Sequence, residues 1–386
     1  MKRVCYIHQY FKTPAEGGAL RSYFIAQALI SHGATVEMLT SHNKPNYELH
    51  VVEGINVHYL PVKYSNNLPF QQRLYSFIKF AWLAIKKIRK IARPDIVYAS
   101  STPLSVGIIT IWLKWIQKIP YIFEVRDLWP EAPIQLKIIN SKFLIFILKK
   151  FEKTIYKNAT EIIALSPGMK QGILNCFPES NVSMIPNMSD IDFFSGNHMK
   201  NRDERQFSIG YFGALGIANN VNFIIEIAKS CQAANQQITF IIAGDGSQRK
   251  DLLEYTTQHK NITLLSSQNR SQIKELMNKV DACLTSFLDF PVLSTNSPNK
   301  FFDSLAAGKL CIVNTKGWLK KLVEEEQCGL YVDATNPNHF PSLIQPFVDD
   351  KDLLLKYQEN AASLAKKEFS KLELTEMICE VVFRYK

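Results

Sequence analysis

Residues 296–308 read NSPNKFFDSLAAG, a polar turn sequence followed by a short amphipathic segment. Asn-Ser-Pro favours a turn, and either Ser297 or Asn299 can cap a helix that follows it. The free N–H groups and the positive dipole end of such a helix suit a phosphate, and Lys300 adds a formal charge there. Asp303 lies one turn later, where its carboxylate can accept hydroxyl groups. The stretch therefore predicts a helix that begins at an anion-binding turn; an ordinary capped helix with a surface lysine is the alternative.

Apolar strand-like runs alternate with helical patterns around this stretch. In the second half of the chain, strands are predicted at 207–212, 238–243, 262–265, 282–286, 310–313 and 329–332. Gly213-Ala-Leu-Gly216 follows the first of these strands, and Gly244-Asp-Gly-Ser247 follows the second. Because the C-terminal ends of parallel strands meet at one edge of a sheet, the backbone N–H groups of these turns suit a nucleotide diphosphate.

The first half of the chain repeats the alternation, with strands predicted at 3–8, 35–40, 54–60, 95–100, 120–125 and 161–165. A loop ending in Gly17-Gly18 follows the first strand and precedes a helix. The glycine pair permits close approach to a ligand, although a flexible surface turn would have the same sequence. No G-x-G-x-x-G is present, so the nicotinamide or flavin fingerprint is missing.

Polar side chains cluster at the end of the strand 120–125, where Arg126-Asp127-Leu-Trp-Pro-Glu131 follows directly. Arginine, aspartate, tryptophan and glutamate within six residues suit a carbohydrate or phosphate pocket at the C-terminal end of a parallel strand. A buried, purely structural Arg126–Asp127 pair is the alternative.

Length and polarity predict how the chain is divided. A chain of 386 residues exceeds what one core usually supports, and residues 196–206, GNHMKNRDERQ, form its most polar run. The fold class predicted is α/β, with two doubly wound parallel-sheet (Rossmann-like) domains facing across a cleft. Their expected limits are 1–195 and 207–370, with 196–206 as the linker and the helical stretch 372–386 packing back on the first domain.

Composition indicates a globular protein of a reducing compartment, with 46% hydrophobic and 21% charged residues. The seven cysteines are scattered and never form C-x-x-C, which predicts free thiols and neither a zinc site nor a disulfide framework. The N-terminus lacks the apolar region of a signal peptide. Residues 96–113 carry no charge, but their serines, threonine, proline and glycine favour a strand, a loop and a buried helix over a membrane span.

Basic charge is concentrated in the first half. Residues 1–180 hold 23 Lys+Arg and 11 Asp+Glu, whereas the remainder holds 22 and 24. The helical pattern at 71–93 carries seven basic residues, several aromatic residues and no acid. Such a helix can lie on an anionic membrane surface, and the basic-aromatic stretches 112–118 and 143–157 favour that interpretation over a solvated domain helix. Nucleic acid is the competing anion, but no recognition motif for it is present.

Taken together, these segments resemble the retaining glycosyltransferases of family four, which have the GT-B fold. Within that family they resemble bacterial O-antigen and capsular polysaccharide enzymes of the N-acetyl-fucosamine transferase kind. The resemblance covers nearly the whole chain. Its carriers, in order, are YIHQYFKTPAEGGALR, FEVRDLWPE, ALSPGM with the following IPN, GYFGALG, IAGDG and SPNKFFDSLAAGK.

The resemblance implies transfer of a sugar, such as an N-acetylated or deoxy amino sugar, from a UDP-sugar to a lipid-diphosphate-linked sugar with its anomeric configuration kept. It implies no metal and no cofactor, since the UDP-sugar is a substrate, and a peripheral position on the cytoplasmic face of the bacterial inner membrane. The implied catalytic residues are Arg126, Asp127 and Lys300. The second domain would bind the donor through Gly213, Leu215, Gly216, Gly244, Gly246, Arg270, Ser297, Pro298, Asn299, Lys300 and Asp303. The first domain would bind the acceptor through Gly17, Gly18, Arg21 and Glu131.

The chain departs from the family pattern at one carboxylate. Family members commonly carry two glutamates separated by seven residues; here Asp303 occupies the second position and Thr295 the first. Threonine cannot supply the missing carboxylate, so Ser297, Asn299 or Lys300 is expected to replace it. A UDP-N-acetylhexosamine 2-epimerase-like enzyme and a non-catalytic sugar-nucleotide-binding protein share the fold and remain alternatives.

Overall fold

The computed structural model describes residues 1–65, 68–195 and 206–385. They form two compact units: Met1–Pro186 with Leu372–Lys386, and Asn187–Lys371. Residues 196–205 of the predicted linker lie outside the described residues. The division in the structure differs from the expected limit at 195, because residues 187–195 pack with the second unit. Ser189 pairs with Ser370 and its hydroxyl donates to the Phe302 carbonyl at 2.8 Å, while Phe194 joins an apolar cluster with Phe212.

The first unit is built on a sheet that has eight strands among the described residues, in the order β3-β4-β2-β1-β5-β6-β7-β8. All neighbouring strands are parallel except β3 and β4. The sheet is almost entirely apolar and buried in β1, β5 and β6, as a parallel sheet covered by helices requires. The strands are β1 (Arg3–Ile7), β2 (Thr35–His42), β3 (Glu48–Val52), β4 (Ile55–Pro61), β5 (Ile96–Ser100), β6 (Tyr121–Val125), β7 (Glu161–Ala164) and β8 (Val182–Met184).

Strand β3 has no counterpart in the sequence prediction. It pairs antiparallel with β4 through the two-residue turn Glu53-Gly54, whose φ angles are +46° and +85°. Two positive φ values match the twist of a two-residue hairpin. The side chains of Leu49 and Val51 are exposed, so β3 lacks the buried apolar pattern by which the other strands are recognised.

The helices of the first unit follow the strands in sequence. They are α1 (Arg21–Ser31), α2 (Phe70–Ile88), α3 (Val106–Trp112), α4 (Glu131–Gln135), α5 (Lys142–Asn158) and α6 (Pro167–Cys176), with a π-helical segment at Leu113–Gln117. Helix α2 ends before the predicted limit at residue 93. Its buried face includes Phe80, Ala84 and Ile88, whereas Leu74 and Ile78 in its first half are exposed. No helix among the described residues is long and apolar enough to cross a membrane.

The second unit repeats the plan with a parallel sheet of six strands, counted over the described residues, in the order β11-β10-β9-β12-β13-β14. The strands are β9 (Ser208–Phe212), β10 (Thr239–Ala243), β11 (Ile262–Leu265), β12 (Ala282–Thr285), β13 (Leu310–Val313) and β14 (Gly329–Tyr331). The helices are α7 (Ile191–Phe194), α8 (Val221–Ala233), α9 (Arg249–Gln258), α10 (Arg270–Met277), α11 (Asn299–Ala306), α12 (Trp318–Glu325), α13 (Phe340–Asp349) and α14 (Lys351–Glu368). Helix α15 (Lys371–Arg384) belongs to the first unit from Leu372 onward.

Candidate active site

Helix α11 begins one residue after the turn that the sequence predicts. Its N-cap residue is Pro298, and no side chain caps the N-terminus. The expected capping by Ser297 or Asn299 is therefore wrong. The Ser297 hydroxyl accepts the backbone N–H of Asn187 at 3.3 Å instead, and the Asn187 amide donates to the Ser297 carbonyl. The turn is fixed from outside the helix, so the dipole end of α11 is left without a side-chain cap.

Lys300 lies in the first turn of α11, where its ammonium group is the candidate for binding an anion. Its Nζ donates to the hydroxyl of Tyr211 at 2.7 Å and lies 4.1 Å from the centroid of that ring. Within the described part of the chain, no carboxylate forms an ion pair with it. Burial lowers the pKa of the Lys300 ammonium to about 7. A half-buried cation without a counter-charge is costly, and an anion bound beside it would relieve that cost.

The two glycine turns pack against each other under Lys300. A Cβ atom added to Gly213 would lie 3.3 Å from Lys300 Nζ, and one added to Gly244 would lie 1.9 Å from the Gly213 carbonyl oxygen. One added to Gly246 would lie 2.5 Å from the Leu215 backbone. The glycines are therefore required by the contact between the turns.

Three backbone N–H groups that were expected to face a diphosphate already have acceptors within the protein. The N–H of Gly213 donates to Ala243 at 3.0 Å, and that of Leu215 donates to Asp245 at 2.9 Å. The Gly246 N–H donates to the carboxylate of Asp245 at 2.8 Å. The structure thus corrects the prediction for Gly213, Leu215 and Gly246. Gly216 stays a candidate, since its N–H has no backbone acceptor among the described residues.

Asp303 and Arg270 lie in one charged cluster of the second unit. Arg270 forms an ion pair with Asp190 at 2.5 Å, and its guanidinium carbon lies 4.0 Å from the Phe193 ring centroid. Burial raises the pKa of Asp303 to about 7, against the opposing effect of the Arg270 charge. Arg270 is thus held by Asp190, a partner that the sequence pattern did not indicate, rather than placed as an unpaired phosphate ligand. The role of Asp303 as a hydroxyl acceptor stays a prediction.

Thr295 does not replace the missing carboxylate. Its hydroxyl donates to the Val292 carbonyl at 2.7 Å. The indole N–H of Trp318 donates to the Asn296 carbonyl at 2.8 Å, which holds the same loop. With Ser297 engaged by Asn187, Asn299 and Lys300 are the remaining side chains at the start of α11 that can meet a donor sugar.

Arg126 and Asp127 follow β6 in the first unit, and they do not form an ion pair with each other. Asp127 accepts the Thr102 hydroxyl at 3.1 Å, and burial raises its pKa. The Arg126 guanidinium Nη1 lies 3.4 Å from Nε2 of His8. The alternative of a buried Arg126–Asp127 pair is therefore not found.

His8 is a candidate site residue that sequence reasoning missed, since it lies beside Arg126. Its Nδ1 lies 2.7 Å from the Ser22 hydroxyl. Burial and the neighbouring Arg126 charge lower the pKa of His8 to about 3, so the ring is neutral and its Nε2 can accept from Arg126. The only available sequence signal was its position at the C-terminal end of the first strand.

Arg21 has a structural role in place of the predicted acceptor contact. Its guanidinium is buried, pairs with Glu124 at 2.6 Å and donates to the Ile185 carbonyl at 3.0 Å and to the Pro186 carbonyl. Gly17 and Gly18 have φ angles of +70° and +88°, which favour glycine in this loop. Glu131 is half-exposed at the start of α4, where it lies 3.5 Å from Lys149.

Comparison with known proteins identifies the family. Residues 16–193 match the model described as Glycosyltransferase Family 4, and residues 197–364 match the model described as Glycosyl transferases group 1. No curated protein sequence matches the chain.

Solved structures with the same fold include three glycosyltransferase relatives. Sucrose-phosphate synthase from Thermosynechococcus elongatus is 15% identical with a TM-score of 0.79, over 100% of this chain and 99% of that one. WaaG, a glycosyltransferase involved in lipopolysaccharide biosynthesis, is 15% identical with a TM-score of 0.72, over 98% and 99%. Anabaena HepE in complex with UDP-glucose is 16% identical with a TM-score of 0.72, over 100% of both chains.

Two parallel-sheet α/β units, matched one after the other by the two family models, establish the GT-B fold and the enzyme class. The chain belongs to the family four glycosyltransferases, enzymes that act on nucleotide sugars.

Proposed function

We propose that this enzyme is a retaining glycosyltransferase that moves an N-acetylated or deoxy amino sugar from a UDP-sugar to a lipid-diphosphate-linked sugar in cell-surface polysaccharide (O-antigen or capsule) synthesis. The observation that carries the donor half is Lys300, a half-buried cation without a carboxylate partner among the described residues, at the uncapped start of α11. A nucleoside diphosphate supplies the negative charge that this position lacks.

In the second unit, Lys300 and the N-terminus of α11 would bind the diphosphate. When the bond between the sugar and the diphosphate breaks, negative charge grows on the leaving phosphate, and a preorganised ammonium stabilises it. Asp303 would accept ribose hydroxyls, and Asn299, Pro298 and Gly216 would line the donor. Arg270 would act indirectly, through its pairing with Asp190 beside Asp303.

In the first unit, Arg126 and Asp127 would contact the reacting sugars. His8 would orient the Arg126 guanidinium, since its neutral ring offers a lone pair to that group. Gly17, Gly18 and Glu131 are proposed to meet the acceptor sugar. No role in binding is proposed for Arg21, whose guanidinium is committed to Glu124.

The acceptor's lipid would place the enzyme at an anionic membrane surface. The basic segment 71–93 supports this, because α2 carries no acid and its Lys86 and Lys87 lie in the last turn. We propose a peripheral position on the cytoplasmic face of the bacterial inner membrane.

A panel of nucleotides and nucleotide sugars tests the donor. We expect UDP and UDP-sugars to raise the melting temperature of the full chain, by several degrees when the ligand is present at about 100 times its dissociation constant, and ADP or GDP to raise it less. Thermal-shift measurements at equal concentrations would check this. Equal shifts for all nucleotides, or none for UDP, would contradict the proposal. Conversion of a UDP-sugar to its epimer without acceptor would instead support an epimerase, and binding without turnover a non-catalytic protein.

The affinity for UDP-glucose is expected to fall as the pH rises above about 7. Lys300, whose pKa burial lowers to about 7, is charged below that pH and neutral above it, so binding an anion requires a proton to be taken up at higher pH. The dissociation constant should rise by up to about tenfold per pH unit above 7. Calorimetric titration between pH about 6 and about 9 measures it.

Lys300→Arg is the matched control for that pH dependence, because arginine stays charged over the whole range. Its affinity should depend little on pH. A wild-type affinity that does not change with pH would contradict the proposal that Lys300 titrates beside the diphosphate in this range.

A further inference from the structure

The first two turns of α5 expose an apolar surface that the rest of the first unit leaves uncovered. Residues 142–148 read KFLIFIL, and none of their side chains is buried. Phe143, Phe146 and Ile147 are 74%, 56% and 44% exposed. The second half of the same helix is different, because it buries Glu152, Ile155 and Tyr156. The helix is thus anchored by its C-terminal half and presents large apolar side chains along its N-terminal half.

This exposed surface belongs to a well-formed helix end. Ser141 is the N-cap residue, and its hydroxyl accepts the backbone N–H of Leu144 at 3.4 Å. The cap favours a helical first turn, so the apolar residues keep one arrangement instead of fraying. Exposing three large apolar side chains within five residues is unfavourable in water, which indicates that something apolar covers them.

The charges near these apolar side chains indicate which kind of partner covers them. Residues 132–151 include no acidic residue, and Lys142 and Lys150 are exposed beside the apolar side chains. Lys149 is also exposed and lies 3.5 Å from the carboxylate of Glu131. The Lys150 ammonium lies 4.7 Å from the centroid of the Phe146 ring. A second copy of the chain docked through this surface would bring two lysine clusters together, whereas anionic lipid headgroups have the complementary sign.

Neighbouring elements extend the same character. Helix α3 contacts both α2 and α5. Trp115 of the π-helical segment is exposed and donates to Asn158 of α5 at 3.0 Å. On α2, Tyr75 and Trp82 are exposed, and the Lys86 ammonium lies 5.2 Å from the Trp82 ring centroid. Exposed aromatic rings next to lysines are typical of a protein surface at a membrane interface.

We propose that the first two turns of α5 insert into an anionic lipid bilayer, with Phe143, Phe146 and Ile147 at the boundary of the acyl chains and the lysines among the headgroups. The inference rests on the proposed function, since a lipid-linked acceptor is held in such a bilayer. Insertion of α5 has a different physical basis from the electrostatic attraction of the basic segment 71–93 to anionic lipid. Burial of apolar side chains persists at high salt, whereas attraction between exposed charges is screened.

Vesicle sedimentation separates the two contributions. The probe is vesicles of equal parts phosphatidylcholine and phosphatidylglycerol, with the full chain and no nucleotide sugar, in about 0.1 M and about 0.5 M NaCl. We expect Phe143→Ser/Phe146→Ser to weaken binding about tenfold or more at both salt concentrations. Replacing Lys86, Lys87, Arg89 and Lys90 by glutamine should weaken it mainly at low salt. Leu253→Ser is the matched control, since Leu253 is 56% exposed on α9 of the second unit; it should bind as the wild type does.

Two outcomes would overturn the inference. One is unchanged vesicle binding by Phe143→Ser/Phe146→Ser when its circular dichroism and melting temperature match the wild type. The other is a lipid-free dimer in light scattering that this double variant converts to a monomer, which would assign the surface to a second copy. No sugar nucleotide is present, so these results do not depend on transferase activity. If the wild-type protein binds vesicles in this way but does not bind UDP, the proposed function is refuted and the membrane inference is not.

Discussion

Lys300→Met is expected to abolish most transferase activity while leaving the protein as stable as the wild type or more stable. The ammonium that would neutralise the leaving diphosphate is removed, and loss of one such group typically costs about a hundredfold to a thousandfold in turnover. Stability should not fall, because burial disfavours the charged form of this side chain, as its pKa of about 7 indicates. Steady-state kinetics and urea unfolding at pH about 7.5, where Lys300 is present in both its charged and its neutral form, give the two measurements.

Lys320→Met is the matched control for this prediction. The Lys320 ammonium also lies over a tyrosine ring of the second unit, 4.3 Å from the Tyr331 centroid, but its side chain is 40% exposed and faces Glu324. Its replacement should change turnover by less than about twofold, since exposed pairs contribute little. Full activity in Lys300→Met would show that the diphosphate binds elsewhere. A loss of activity that follows a loss of stability would assign Lys300 a structural role.

The fold was readable from the sequence because parallel sheets leave a local signature. Buried strands such as 3–7 and 310–313 are continuous apolar runs, and each is followed by a helical pattern. The hairpin strand β3 escaped detection because it is exposed and lies at a sheet edge. The limit between the units also escaped, since the segment from Asn187 is held by hydrogen bonds to Ser297 and Phe302, which are over a hundred residues away.

The candidate site was readable only in part. Lys300 and Asp303 lie in one helix, so their spacing alone places them near each other. Whether a glycine turn offers its N–H groups to a ligand depends on the neighbouring strand and turn. Here the N–H of Gly213 donates to Ala243 at the end of β10, and that of Leu215 donates to Asp245 in the following turn. Whether a charge is available depends on its distant partner, as Arg21 with Glu124 and Arg270 with Asp190 demonstrate. Periodicity carries no information on such pairings.

Glu124→Gln is expected to destabilise the first unit by about 3–5 kcal/mol, because it leaves the buried Arg21 guanidinium without a counter-charge. Glu124 is fully buried and accepts from Arg21 at 2.6 Å, from Tyr98 at 2.9 Å and from the Ser100 hydroxyl. Burial alone would raise the pKa of Glu124, but Arg21, Arg126 and Ser100 outweigh it and lower the pKa to about 2. Urea unfolding, with hydrogen exchange at β1, β5 and β6 to locate the change, measures the effect.

The double variant Arg21→Met/Glu124→Leu distinguishes a buried ion pair from a general packing defect. With both charges gone, neither is left unpaired, although the buried Tyr98 and Ser100 hydroxyls lose their acceptor. We therefore expect the double variant to recover part of the stability that Glu124→Gln loses. Since the pKa of Glu124 is lower in the folded chain than its ordinary value of 4.5, its contribution is complete above that pH and is lost as the pH falls toward about 2. The double variant should therefore lose less stability than the wild type over that acid range. If it were instead as unstable as the single variant at neutral pH, the role of Arg21 as the partner of Glu124 would be wrong, and a contact with substrate would again have to be considered for it.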